Sequence, residues 1–478
     1  MRFTKMMTAE HPSVRLWVLF VISIAVAMPA VEAQEKGPEI SKTTAHRSDW
    51  PHWLGPNSDY TSPEKGLLRE WPVAGPRVLW RAKIGQGWSC PSVAGGEVYV
   101  HGSAWSDRWE ISDTESVICL DADTGKELWR HTYEIGGHYQ QKNIGWWWGG
   151  VRSTPTITEK YVYALGSIGR LTCLDRKTHK VVWQEDLNKT YWPGPYPEWK
   201  GTNFSPLVAE GVVLVPFASK GRNRCAALDA ETGKLKWVYP ADTDLKDIKG
   251  CSPTGGFLAT FGDDRCVIIN GDGTTPSYRA LRLSDGTPVW EFEWKAPDGR
   301  PGNGPAYILD GQIVNLSSPW VYQVLIDVDF KTPPFAAKVA RITRLASGNP
   351  YHGFIPSGDA YYGFLETTSD TGKPLAIWRH RLTCIDRKTG QVAWKQEGFE
   401  SGVSLIAADG LLFARSFQSI TLVEATPEGY REKGKVEKLH DVTNKRGEDG
   451  GWVMPVLAHG KLYVRTPGEL ICFKVSKE

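Results

Sequence analysis

A run reading roughly Leu-Asp-x-x-Thr-Gly-x-x-x-Trp recurs along the chain, clearest at Leu120–Trp129, Leu174–Trp183, Leu228–Trp237 and Ile385–Trp394, with a weaker copy ending at Trp290. A period of about fifty residues signals a solenoid, a propeller or an array, in which each unit is one supersecondary element. Within a unit, a Ser/Thr/Cys-Pro start leads to a short apolar run, a turn, and a strand such as Val98-Tyr99-Val100. A third strand ends at Leu-Asp, and Thr-Gly turns the chain into the strand carrying the Trp. The alternation and turn spacing predict antiparallel strands, and no long pattern of helical period intervenes.

Eight units can be counted, starting near Ser89, Ser153, Ser205, Cys251, Gly304, Asn349, Ser401 and Trp452. The fifth lacks the Trp signature, the sixth carries an insert around Glu366–His380, and the seventh replaces the turn with Thr426–Tyr430. The last holds only three strands. Val78-Leu79-Trp80-Arg81-Ala82 should supply its fourth, closing the ring and leaving only short, protected edges. The reading is an all-β, eight-bladed propeller of four-stranded antiparallel blades over residues 76–478. Residues 34–75 are read as an N-terminal extension packed on its outside.

In each turn the Asp accepts hydrogen bonds, Gly supplies positive φ, and the Trp is expected to lodge between adjacent blades. His179 replaces that Gly in one copy, at some strain. Pro91, Pro155, Pro206, Pro253, Pro305 and Pro455 open first strands, where an edge position costs no ladder donor. Cys119, Cys173, Cys384 and Cys472 share a repeated position and read as small buried hydrophobes. Pairing among Cys90, Cys251 and Cys266 is left open.

Arg2, Lys5 and Arg15 precede an uncharged stretch from Leu16 to Val31, and Val31-Glu32-Ala33 offers small residues for cleavage. That is the layout of a secretory signal, which places the mature chain outside the cytoplasm with no membrane insertion. A formal charge of +2, from 56 basic and 54 acidic residues, makes no electrostatic case for nucleic acid. A monomer is expected.

The repeat resembles the pyrroloquinoline-quinone-type propeller unit, shared by quinoprotein alcohol dehydrogenases and the outer-membrane assembly factor BamB. Asp49-Trp50-Pro51-His52-Trp53-Leu54-Gly55-Pro56-Asn57, Gly150–Pro155 and Leu422–Pro427 look like further stretches of the PQQ-binding-like propeller proteins. The resemblance implies an exported eight-bladed propeller and, for the dehydrogenases, an adjacent Cys-Cys disulfide, a Trp floor and calcium ligands. This chain has no adjacent cysteines and no Cys-x-x-Cys-His for haem. Zinc-protease, nucleophile-elbow and P-loop motifs are also missing. No cofactor is predicted; quinone with calcium belongs to the oxidoreductase alternative, and a BamB-like assembly role is the other.

The functional lead is geometric. In a four-stranded blade, the loops joining second to third strands and the links between blades emerge on one face. Trp105 and Trp109 fall in the first such loop; Trp146, Trp147, Trp148 and Arg152 between units one and two; Tyr191, Trp192, Tyr196 and Trp199 between two and three. Gathered over three adjacent blades, these rings would form an apolar wall at the mouth of the channel, a ledge for a polypeptide or a glycan. The alternative is that they bury one another. His352, in the loop entering the sixth unit, is a further candidate.

Overall fold

A computed structural model describes residues 48–477 apart from 105–112, 136–149, 191–203, 220–221, 242–255, 271–276, 295–296, 298–305, 318–321, 346–352, 367–378, 401 and 441–452. Eight sheets built on four antiparallel strands follow one another along the chain, the last borrowing its fourth strand from upstream of the first and the seventh gaining a short parallel fifth. Blade 1 runs from Ser92–Ala94 to Glu127–Glu134, blade 2 from Thr156–Ile157 to Val181–Asp186, and blade 3 from Leu207–Ala209 to Leu235–Tyr239. Blade 4 spans Phe257–Phe261 to Pro288–Glu293, blade 5 Ala306–Leu309 to Ala337–Arg344, blade 6 Ile355–Ser357 to Val392–Glu400, and blade 7 Ser404–Ala408 to Glu432–Val436. One helical turn, Leu187–Thr190, is the only helix among the described residues.

Blade 8 contains the closure. Its inner strands Val456–Ala458, Lys461–Arg465 and Glu469–Lys474 are completed by Val78–Lys83, antiparallel to the last of them. The expected ring is present, zipped by both ends of the sequence.

Blade-to-blade docking follows from the repeated turn. Asp121, Asp175, Asp229 and Asp386 each accept the amide of the residue three positions on, and the hydrogen bonds hold these exposed carboxyls below the usual carboxylate range. Gly125, Gly233, Gly286 and Gly390 all have positive φ. They also face the preceding blade: a Cβ on Gly125 would lie 2.5 Å from Trp80, and one on Gly233 2.7 Å from Trp183. Trp80, Trp183, Trp237 and Trp394 donate through Nε1 to carbonyls of the next blade, at Ala122, Ala230, Leu283 and Thr426. Blade 5 has Arg341 in the Trp position. Its guanidinium lies against Gly390 and donates to the Arg387 and Lys388 carbonyls, so the staple survives without the indole. His179 does adopt φ 62°, and its ring stacks on Trp129 at 5.2 Å, which offsets part of that strain.

The repeated cysteines are buried free thiols, as are Cys90, Cys225 and Cys266; Cys251 lies outside the described residues. In blades 1, 2, 6 and 8 the thiol sits opposite a Tyr of the second strand: Tyr99–Cys119, Tyr163–Cys173, Tyr362–Cys384 and Tyr463–Cys472.

The extension departs from its expected place. Thr61–Ser62 pairs parallel with Ser404–Ala408, the innermost strand of blade 7, and Trp50 exchanges both backbone hydrogen bonds with Val93 in the first strand of blade 1. The Pro51 carbonyl accepts from Ile157 in blade 2. Trp50, Leu54 and Tyr60 are buried in one apolar cluster with the first strands of blades 6, 7 and 8. The segment therefore lies across the inner strands rather than on the outside of the ring. The physical reason is composition: its aromatic rings need cover on every side, which an outer edge strand does not offer.

Ionic contacts fix it to one end. Asp49 binds His459 at 2.6 Å, Glu64 accepts the Gly460 amide at 2.8 Å, and Arg69 pairs with Asp409 at 3.2 Å. These partners occupy turns between the first and second strands of blades 7 and 8. The extension is thus held at the end where the first and second strands turn.

Candidate functional site

Of the expected ledge residues, Trp105, Trp109, Trp146, Trp147, Trp148, Tyr191, Trp192, Tyr196, Trp199 and His352 lie outside the described residues. Arg152 is described and half-buried, between the fully buried Val151 and Ser153. The Val151 carbonyl accepts from Trp88 and Ser89, so Arg152 leaves the ring where blade 1's link meets the closing segment.

At this same end of blades 7, 8, 1 and 2 runs a buried polar seam that repeat reading alone passed over. Counting each second strand from its inner turn, the fifth residue is Leu165, Pro216, Ile268, Leu316 and Phe364 in blades 2–6. In blades 7, 8 and 1 it is Arg415, Arg465 and His101. Three consecutive blades thus carry a basic residue at a register that is otherwise apolar, and all three are fully buried. The signal was in the aligned repeats, at a position outside the Asp-Thr-Gly-Trp signature.

In blade 1 the seam is a relay of four side chains. Tyr133 donates its hydroxyl to Glu115 at 2.6 Å, and the His101 Nε2 meets the same hydroxyl at 2.9 Å. Ser167 of blade 2 gives Glu115 both its amide, at 3.2 Å, and its hydroxyl. With Tyr133 donating to the carboxyl, its oxygen accepts from His101, which fixes the Nε2–H tautomer. Burial pushes Glu115 up, against the hydrogen bonds and the Arg170 charge that favour its ionised form. Burial first, then the charge of Arg465, pushes His101 down to about 3. At neutral pH the imidazole is therefore uncharged, and the network ties the third and fourth strands of blade 1 to Ser167 of blade 2.

In blades 7 and 8 the seam is cationic. Arg415 gives Nη1 to the Val453 carbonyl at 3.3 Å, and Arg465 gives Nη1 to the Ser89 and His101 carbonyls, both at 2.8 Å. Cys90 sits within electrostatic reach of both guanidiniums.

Closure, repeat and seam define the class: a PQQ-type eight-bladed propeller. The chain belongs to the PQQ_2 family, whose model, described as "Outer membrane protein assembly factor BamB", matches residues 59–185 and 113–396. Among curated relatives it is similar to a polyvinylalcohol dehydrogenase of Sphingopyxis sp. (strain 113P3), 23% identical over 314 residues, covering 59% of this chain and 42% of that one. The chain thus spans about two fifths of that relative's length. Among solved structures it is similar to the quinohemoprotein alcohol dehydrogenase of Comamonas testosteroni, with a TM-score of 0.62 at 16% identity, covering 91% of this chain and 82% of that one. It is also similar to BamB of Moraxella catarrhalis, with a TM-score of 0.53 at 14% identity, covering 84% and 99%.

The fold family raises a quinone with calcium, and the described residues do not fit it. Among them no three His, Cys, Asp or Glu side chains come close enough to hold a metal ion, and every described cysteine is a separate buried thiol. One end of the axis is filled by Trp50, Leu54 and Tyr60.

Proposed function

We propose that the protein is an extracytoplasmic, non-catalytic propeller that binds an extended polypeptide on the face where its blade-to-blade links emerge. One observation carries the reading. The extension is held at the end of the axis where first and second strands turn, and the aromatic-rich sequences 105–112, 136–149 and 191–203 join strands of blades 1 to 3 whose ends lie at the opposite end. Aromatic rings bind extended chains well because they bury much area with few rotors. The family's description as an outer membrane assembly factor is compatible with a polypeptide ligand. The signal-like N-terminus supports export, with cleavage after Ala33.

The test is a binding titration with an unfolded outer-membrane β-barrel protein, with a glycan array in parallel. Trp147→Ala combined with Trp192→Ala should weaken polypeptide binding at least tenfold and leave the melting temperature within about 2 °C of wild type. A large fall in melting temperature would make the rings core, and binding confined to the glycans would replace the polypeptide.

A further inference from the structure

We propose that Arg415, Arg465 and Cys90 enclose a site for one small monoanion, of halide or formate size, at the seam where the ring closes. Both guanidiniums are fully buried. Every acceptor they meet is a neutral carbonyl: Val453 for Arg415, and Ser89, His101 and Gly85 for Arg465. Among the described residues Arg415 Nε and Nη2 and Arg465 Nε have no acceptor, and no carboxylate pairs with either side chain. Buried arginines are otherwise paired, because taking a lone cation out of water is expensive.

Neither charge can be discharged from within. Burial pushes each arginine down only to about 9, so both remain protonated at neutral pH. Cys90 is the titratable neighbour common to both, and burial pushes its thiol up despite the Met454 amide, Thr154 and the two guanidiniums. It is therefore a neutral thiol and no counter-ion. His101 is uncharged, and Tyr60, which also faces Cys90, has its hydroxyl pushed far up by burial. No described residue supplies the missing negative charge, and the proposed ion would supply it from solution. The complete burial of both arginines selects an ion with few atoms, and three unclaimed N–H-bearing nitrogens provide its donors.

The location gives the ion a role. Val453 belongs to the link from blade 7 to blade 8, and Ser89-Cys90 to the link from blade 8 to blade 1. The anion would hold together the two junctions that exist only once both ends of the chain have met.

Thermal unfolding of the full chain tests this at constant ionic strength, with sodium gluconate, too bulky to be enclosed, replaced stepwise by chloride, bromide or formate. The expected result is a saturable rise of about 2–3 °C with the small anions. The larger of the halide and formate responses identifies the ion. Arg415→Met should abolish the response and melt in gluconate no lower than wild type, since it removes an unbalanced buried charge. Equal melting in all four salts, or a response that persists in the variant, overturns the site. Should the variant fail to fold, crystals grown in bromide decide: an anomalous peak between the two guanidiniums supports the site, and its absence refutes it. The test uses no polypeptide, so its failure leaves the loop-face reading standing.

Discussion

At the scale of single residues, the repeat signature encodes pairs rather than positions. Gly125 looks like a turn residue, yet its missing Cβ also makes room for Trp80 of the neighbouring blade. The two roles separate experimentally. Gly125→Ala meets both a positive φ of 69° and an indole carbon at 2.5 Å, and should cost about 2–4 kcal/mol. Gly211→Ala has a similar φ of 75° with nothing within 4 Å, and should cost about 1 kcal/mol. Equal melting temperatures for the two variants would show that the packing contributes nothing. The Asp, Gly and Trp of each turn were legible because they recur. Arg341 and His179 were legible only as departures. What replaced the lost contact, a guanidinium donating to two carbonyls in one case and a stacked imidazole in the other, required the fold.

At the scale of elements, the closing strand and the extension show opposite degrees of legibility. Val78–Lys83 announces itself through Trp80, which keeps the repeat's spacing, and it pairs with Glu469–Lys474 as expected. Residues 49–64 carry no repeat, so nothing local told the inner side of the ring from the outer. Their burial depends on partners hundreds of positions away, at His459, Gly460 and Ala407. Trp50 is the anchor, fully buried and bonded to Val93 through both backbone groups. Trp50→Ala should cost about 3–5 kcal/mol and open the extension to protease before residue 78, leaving the blades intact. Limited proteolysis followed by mass measurement reads this out; an uncut extension would mean that its ionic clamps suffice. The basic register of blades 7, 8 and 1 was equally present in the sequence. It was overlooked because a single Arg or His in a strand carries no meaning until the blades are superposed.

At the scale of the whole molecule, buried titratable groups of both kinds act on stability in opposite senses. Burial pushes His52, His101 and His380 down to about 4, 3 and 4. The folded state binds fewer protons there than the unfolded chain, so their contribution is complete above pH 6.5 and is lost as pH falls below it. Asp59 is pushed up to about 6 by burial, so its ionisation penalty is absent below about pH 4 and complete above about pH 6. On acidification from pH 6.5 the histidines therefore lower stability while Asp59 opposes them. His52→Asn removes one such proton: the stability difference between wild type and variant should change by roughly 1.4 kcal/mol per pH unit between pH 6.5 and 4. Chemical denaturation across that range measures it, and a constant difference would show His52 to be solvated.

The order in which this polypeptide is made adds a kinetic consequence. Residues 49–83 precede blade 1, and besides early partners at Val93 and Ile157 they pair with residues as late as Ser404–Ser476. No nascent fragment short of those late residues can assemble the finished core. A nascent chain held open in this way stays extended until residues 404–476 have been made.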